Sequence, residues 1–229
     1  MSQEFDNYAA KYEELLRDPI REKFAPGSQF FAVRKWELIR DFFHRQKRPL
    51  PSLRWLDVGC GKGELLRMGK GNFGQVCGCD LSEEMLSAGG DLDIRSQTSP
   101  DKLPFPNASF DFLTAVCVFH HVDLKDRQAL VGEMKRVLAP GGILGIIEHN
   151  PFNPATRIIV SRTPVDQNAI LLRAAETETL IEKAELDLVE TQYFLYLPEK
   201  LYSRITWVET AFRSIPLGGQ YATFGRKNA

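Results

Sequence analysis

The stretch LRWLDVGCGKGELL, residues 53–66, decides how the rest of the chain is read. Leu53, Trp55, Leu56 and Val58 bracket Asp57, glycines follow at 59, 61 and 63, and Glu64-Leu65-Leu66 resume a helical pattern. That order spells a buried strand, a glycine turn and a helix start. Glycine adopts positive φ without strain, and without a Cβ the backbone can lie against a ligand. A ligand crevice at the carboxyl end of a first parallel strand is the implied geometry. A dinucleotide fingerprint would read GxGxxG, but Glu64 holds the place of the third glycine and Gly63 comes one residue early. A tight strand-to-helix turn with no ligand is the alternative for the glycines taken alone.

A second signal lies downstream. Residues Gln75 to Cys79 form an apolar strand that closes on Asp80, and a carboxylate about twenty residues past a glycine loop can accept hydrogen bonds from two ribose hydroxyls. NAD, FAD and S-adenosylmethionine all carry that ribose, so Asp80 does not separate them.

LDVGCGKG (56–63) resembles the first motif of class I S-adenosylmethionine-dependent methyltransferases, a hydrophobic strand, an acid and GxGxG. The resemblance continues through LPFPNASFD (103–111), FHHV (119–122) and KRVLAPGG (135–142), and more loosely through Phe5, Asp6, Tyr8 and Tyr12 at the amino end. It implies a doubly wound α/β, Rossmann-like fold with a seven-stranded, mostly parallel sheet in the order 3-2-1-4-5-7-6, the last-numbered strand antiparallel. It implies S-adenosylmethionine as cofactor, held by Tyr12, Asp57, Gly59, Cys60, Gly61, Gly63, Asp80, Leu81, Thr98, Ser99, Cys117 and Val118. The acid that usually meets the adenine amino group, four residues before the Leu of LPF, is Ser99 here, with Thr98 beside it.

Length and composition fit one unit. A chain of 229 residues with 43% hydrophobic content buries a single sizeable core. We divide it into amino-terminal helices (1–48), a cofactor-binding half (49–149) and a substrate-side half with the closing hairpin (150–229). The formal net charge of −1 supplies no general field for nucleic acid or anionic lipid. The acidic amino terminus does not read as a signal peptide, and no apolar run approaches the length of a bilayer span, so a cytoplasmic monomer or homodimer without stable membrane insertion is expected. Cysteines 60, 77, 79 and 117 form no CxxC pair and read as reduced core residues.

In chain order, helical spacing places helices over 5–17 and 30–43; these pack on the domain edge or close over the crevice as a lid. A short helix follows the glycine turn, then a strand to Asp80, a helix over 83–88 and a weak strand over 91–96. Phe110 to Phe119 is apolar on both faces, as a central parallel strand requires, and is followed by a helix over 126–138 that stops at Ala139-Pro140-Gly141-Gly142. The strand 143–147 delivers Glu148-His149-Asn150-Pro151 to the same rim. Residues 150–172 look irregular and suit a pocket cover, and helix 176–184, strand 186–195, helix 199–213 and strand 220–225 complete the chain.

Methyl transfer from a sulfonium needs positioning above all, which is worth roughly 7 to 11 kcal/mol. A base is needed only where the acceptor atom carries a proton. His121 is the expected base, His149 the next, and Glu148 an orienting acid, since an imidazole near pKa about 6.5 can take that proton. Adjacent histidines on a strand point to opposite faces, so one of His120 and His121 should face away from the acceptor. No HxxxH or HxH spacing appears, and no metal is expected. The acceptor is expected to be a small molecule, with O-methylation favoured and no nucleic acid; an amino-adenine methyltransferase would need an NPPY-like motif after the fourth strand, and Asn150-Pro151-Phe152 imitates it after the fifth. The HNPxNPxT run (149–156) and residues 193–207 resemble a bacterial branch of methyltransferases associated with envelope polysaccharide or lipid pathways. A nicotinamide-dependent oxidoreductase and a catalytically silent nucleoside-binding module are the alternatives.

Overall fold

Continuous burial along Arg54–Val58 (β1) makes it an interior strand of the sheet: Trp55, Leu56, Asp57 and Val58 are all buried, so neither face of the strand is left for water. The computed structural model describes residues 2–228. Four helices precede β1: Ser2–Tyr8 (α1), Tyr12–Leu15 (α2), Pro19–Phe24 (α3) and Gln29–Arg45 (α4). After it come Glu64–Gly69 (α5), Gln75–Asp80 (β2), Glu83–Ser87 (α6), Asp93–Ser96 (β3), Phe110–Val116 (β4), Arg127–Val137 (α7) and Leu138–His149 (β5). Pro154–Arg162 (α8), Ala174–Lys183 (α9), Asp187–Phe194 (β6), Glu199–Tyr202 (α10), Trp207–Phe212 (α11) and Gln220–Arg226 (β7) follow.

The sheet runs β3-β2-β1-β4-β5-β7-β6, with β7 antiparallel to both of its neighbours and every other pair parallel. This is the order expected from the sequence. Right-handed crossovers place helices on both faces, and each face has its own core. On one side α7 and α9 press Leu130, Met134, Val137 and Ile181 onto Leu113 and Ile146. On the other, α4 lays Trp36, Phe42 and Phe43 against Trp55, Phe112 and Phe224, with Phe42 stacked on Phe224 at 4.0 Å between ring centroids. Aromatic pairs of this kind add about 0.5–1.5 kcal/mol each beyond their area, so α4 is a fixed wall from which other side chains can be aimed.

Several boundaries differ from the sequence reading. The 5–17 helix is broken by a 3-10 turn over Ala9–Lys11, yet Phe5, Tyr12 and Leu16 still share one face and line one cavity. The fourth strand ends at Val116 rather than Phe119, because Cys117 takes a left-handed φ of 56° and Phe119–His121 coil into a 3-10 turn. Residues 150–172 are ordered by α8: the Asn153 side chain accepts from the Thr156 amide at 3.0 Å and Pro154 follows at the first helical position, a start signal legible as Asn-Pro. The single helix expected over 199–213 is two, separated at 203–206. Arg34 meets both pieces, its guanidinium lying over the Tyr202 ring at 3.7 Å from the centroid and pairing with Glu209.

Candidate active site

The glycine turn is clamped to the neighbouring strand before any ligand arrives. The amides of Gly59 and Cys60 both donate to the carbonyl of Cys79, at 2.8 and 3.0 Å. The Gly61 amide donates to Asp80 Oδ2 at 2.8 Å, and the Ser82 amide to Asp80 Oδ1 at 2.9 Å. Burial raises the Asp80 pKa, and those amides pull it back by favouring the carboxylate. A carboxylate has lone pairs for about four acceptor positions, so Asp80, which lines the cavity, retains capacity for hydroxyl donors. Gly59 has φ of 69° and a Cβ there would lie 2.5 Å from Val118 Cγ2, whereas a Cβ on Gly61 would meet nothing within 4 Å. The first glycine serves packing and the second leaves open space beside Asp80.

At the same end of β1, two residues before the turn, Asp57 is 3% exposed and accepts from Thr114 Oγ1 at 2.6 Å; Thr114 in turn accepts from Trp55 Nε1. Burial pushes the Asp57 carboxyl up to about 7, partly offset by the Thr114 hydroxyl and by Lys35. A carboxyl with its folded pKa raised above the unfolded value costs stability as pH climbs from about 4 through about 7. Asp57→Asn is therefore expected to stabilise the fold by about 2 kcal/mol at pH 8 and by much less at pH 5, while weakening ligand binding. Urea unfolding at the two pH values measures this; equal effects at both would show that Asp57 is not a strained carboxylate.

Two adjoining cavities share this rim. The first, about 270 Å³, is lined by Gly59, Cys60, Gly61, Asp80, Leu81 and Val118, together with Phe5 and Asp57. The second, about 390 Å³, lies between α8, the end of β5 and the start of β7, against Ile159, Val160, His149, Asp166 and Gln220. Tyr12, Arg21, Lys35, Cys117 and His121 line both. Burial pushes the Tyr12 hydroxyl and the Cys117 thiol up, so both are neutral. Gly63 sits just behind the rim as the helix-start residue of α5 in the left-handed conformation.

Thr98 and Ser99 do not reach the first cavity. Thr98 is exposed and the Ser99 hydroxyl turns outward to Asp101. Past the end of β3 the alternation points Gln97 inward instead, and Gln97 with Pro100 occupies the wall where an adenine edge was expected. Gln97 is 5% exposed and anchored by its amide to the Ser99 and Pro100 carbonyls.

The histidines are arranged differently from the sequence expectation. On the 3-10 turn the rings of His120 and His121 lie 4.1 Å apart on the same side, not on opposite faces, and each Nε2 is 3.4 Å from Asp166 Oδ1. Glu148, fully buried, orients His120 rather than His121 or His149: its Oε2 is 2.6 Å from His120 Nδ1, and its Oε1 accepts from the Phe119 amide at 2.7 Å. Burial opposes charge on His120, but Glu148 and Asp166 outweigh it and raise its pKa to about 10. Burial, reinforced by His120, lowers His149 to about 4; burial also lowers His121 against the pull of Asp166. His121 is packed edge-on by Phe5 at 4.9 Å. Gln220 pairs with His149 in the β5–β7 ladder, and its buried Oε1 has no partner, leaving an acceptor at the second cavity. Asn150 spends its side-chain amide on the carbonyls of Pro216 and Gly218, which removes it as an imitation of the amino-adenine motif.

Asp166, Gln97, Gln220, Lys35 and Arg21 are site residues that the sequence did not disclose. Asp166 alone left a trace, as an acid isolated between Pro164-Val165 and the apolar run to Leu172.

Residues 56–146 match the family model described as a methyltransferase domain. This segment is a methyltransferase domain, and the sheet order around it is that of the class I S-adenosylmethionine-dependent methyltransferase fold, whose cosubstrate is S-adenosylmethionine. Among sequence relatives, the demethylmenaquinone methyltransferase of Symbiobacterium thermophilum is 32% identical over 156 residues, covering 62% of this chain and 61% of its own length. The Homo sapiens protein named "Probable tRNA methyltransferase 9B" is 29% identical over 143 residues, or 62% of this chain; the chain spans 30% of that relative's length. A Thermotoga maritima S-adenosylmethionine-dependent methyltransferase superposes with a TM-score of 0.71 over 100% of both chains at 19% identity, which shows a shared fold.

Proposed function

We propose that the protein transfers the methyl group of S-adenosylmethionine to a hydroxyl of a small-molecule acceptor held in the second cavity. The observation that carries this reading is the junction of the two cavities at Tyr12, Cys117 and His121, with the carboxylate of Asp80 in the lining of the first. When bound there, the cosubstrate supplies a methyl on a sulfonium that is already a good leaving group. Asp80 and the Gly61 turn hold the nucleoside, and Gln97 and Pro100 border its base. Lys35 and Arg21 face its carboxylate, and Asp57 offsets its ammonium. Phe5 and Tyr12, on α1 and α2, act as a lid; Asp6 ties that lid to α6 through Ser82 Oγ at 2.6 Å.

The chain then has two jobs, alignment and removal of a proton. Alignment of acceptor and methyl in a closed crevice supplies most of the rate. His121, neutral at pH 7 and at the junction, is the proposed proton acceptor, with His149 next. Glu148 and Asp166 hold the imidazole group in place through His120 and His121. A cavity of about 390 Å³ with apolar walls suits a small molecule or the end of a lipid-linked one, and a net charge of −1 offers no general attraction for RNA. A cytoplasmic site of action belongs to the same reading; no helix among the described residues is long and apolar enough to cross a membrane.

Against a nicotinamide cofactor stands Glu64, which lines the first cavity where a pyrophosphate would approach the helix start. Two phosphates there would be repelled, whereas a cationic donor would not. Calorimetry tests the choice. S-adenosylmethionine and S-adenosylhomocysteine are expected to bind with 1:1 stoichiometry and NADH not at all; NADH binding in the absence of either nucleoside would overturn the assignment.

A further inference from the structure

The group formed by His120, His121 and Asp166 is built differently from a hydrogen-bonded acid and its base. Charge-assisted N–H···O contacts settle at about 2.7–2.9 Å, and Glu148 to His120, at 2.6 Å, is at least that close. Both contacts to Asp166 Oδ1 stand off at 3.4 Å. Two ligand atoms each about 2.1 Å from a tetrahedral cation are about 3.4 Å apart, so these separations equal the edge of a coordination polyhedron. One ligand atom from each of the three residues lies within 4.8 Å of the other two.

The surroundings supply what a ligating imidazole needs. Glu148 accepts a hydrogen bond from the His120 Nδ1–H and so aims Nε2 at Asp166, the carboxylate–histidine pairing that fixes ring orientation at metal sites; a cation bound there takes the place of the Nε2 proton, which is released to water. The backbone is held as well, since the His120 carbonyl accepts from the Ile170 amide at 2.8 Å and Arg127 donates to the Ile170 carbonyl at 2.6 Å, tying the turn to the segment that carries Asp166. His121 and Asp166 line the second cavity. Sequence spacing hides the set because the carboxylate comes from 45 residues further on, through a fold contact and not a motif.

We infer that His120, His121 and Asp166 bind a divalent transition-metal ion and leave it one open position toward the acceptor cavity, for an oxygen of the acceptor. Three protein ligands with an open fourth position are the pattern of a catalytic rather than a structural site, and imidazole with carboxylate suits zinc, cobalt or iron(II). This rests on the methyl-transfer reading and alters only how the hydroxyl is activated. Coordination lowers the hydroxyl pKa, so its proton leaves to water. The freed oxygen pair then forms the C–O bond while the C–S bond breaks, its pair staying on sulfur as a neutral thioether. His121 ligates in the metal-loaded enzyme, and no imidazole has to accept the proton. The acceptor class that follows is a small molecule that presents one hydroxyl oxygen to the ion, such as a phenol or an alcohol.

Cobalt(II) titration of the chelator-dialysed full chain tests the site by visible absorption, with S-adenosylhomocysteine binding followed in the same samples. One equivalent of cobalt(II) with tetrahedral ligand-field bands is expected. Glu148→Gln should weaken it about 10- to 100-fold, and Asp166→Asn should abolish the bands while leaving S-adenosylhomocysteine affinity within a factor of two. Saturable cobalt binding that is unchanged in Asp166→Asn, or no saturable binding by the wild-type chain, overturns the metal site. Cobalt bands without any nucleoside binding would keep the metal site and sink the methyl-transfer reading instead.

Discussion

Replacing Asp80 by alanine is expected to weaken S-adenosylmethionine and S-adenosylhomocysteine binding about 100-fold while the protein stays folded. Hydrogen bonds to a charged acceptor contribute about 1.5–3 kcal/mol each, and a carboxylate facing two ribose hydroxyls makes two of them. The same side chain receives the amides of Gly61 and Ser82, so its removal also frees the turn that shapes the crevice. Asp80→Asn separates the two contributions: an amide oxygen can still accept from one of those amides, but the second oxygen has become a donor. An intermediate loss is expected for Asn. Calorimetry with each nucleoside, alongside thermal unfolding, gives the result. Unchanged affinity in a folded Asp80→Ala protein would remove Asp80 from the ribose site and with it the orientation proposed for the cosubstrate.

The features that were legible in the sequence are those encoded within a few residues. Strand β1, the turn and Asp80 could be read together because the chain there must be apolar, then glycine, then acidic, and each requirement is local. The positions of His120 and His121 could not be read, because a strand and a 3-10 turn look alike in Val116-Cys117-Val118-Phe119 until Cys117 adopts its left-handed φ. Gln97 was hidden for a related reason. The strand before it is short and mostly exposed, and a shift of one residue in its end exchanges the inward side chain for Thr98. Asp166, on the 3-10 turn Pro164–Asp166 after α8, and Gln220, at the start of β7, enter the site through tertiary contacts, and no spacing rule reaches that far. Asn153-Pro154 is a local signal, for a capping residue followed by proline marks a helix start even inside an irregular stretch.

Removing Glu209 is expected to give the largest loss of stability, about 3–5 kcal/mol for Glu209→Ala. Arg34 is 6% exposed on the fixed wall of α4, and Glu209, also 6% exposed, pairs with it from α11. Truncation leaves a buried guanidinium whose remaining carboxylate is the half-exposed Glu37, one turn along α4, and it also strips the Tyr196 amide of its acceptor at 2.9 Å. The segment that carries Leu195, Tyr196 and Gly219 to the wall of the second cavity loosens with it, so a functional loss should accompany the structural one while S-adenosylhomocysteine affinity stays near wild type. Desolvation of the pair offsets much of its mutual attraction, and an isolated buried charge is worse than none. Arg34→Leu combined with Glu209→Gln, which keeps an oxygen for the Tyr196 amide, should therefore be more stable than Glu209→Ala by at least about 1 kcal/mol. Guanidinium unfolding of the wild type, the single variant and the pair measures the difference; a double variant less stable than Glu209→Ala would mean that the ion pair holds the acceptor wall by attraction and not by geometry.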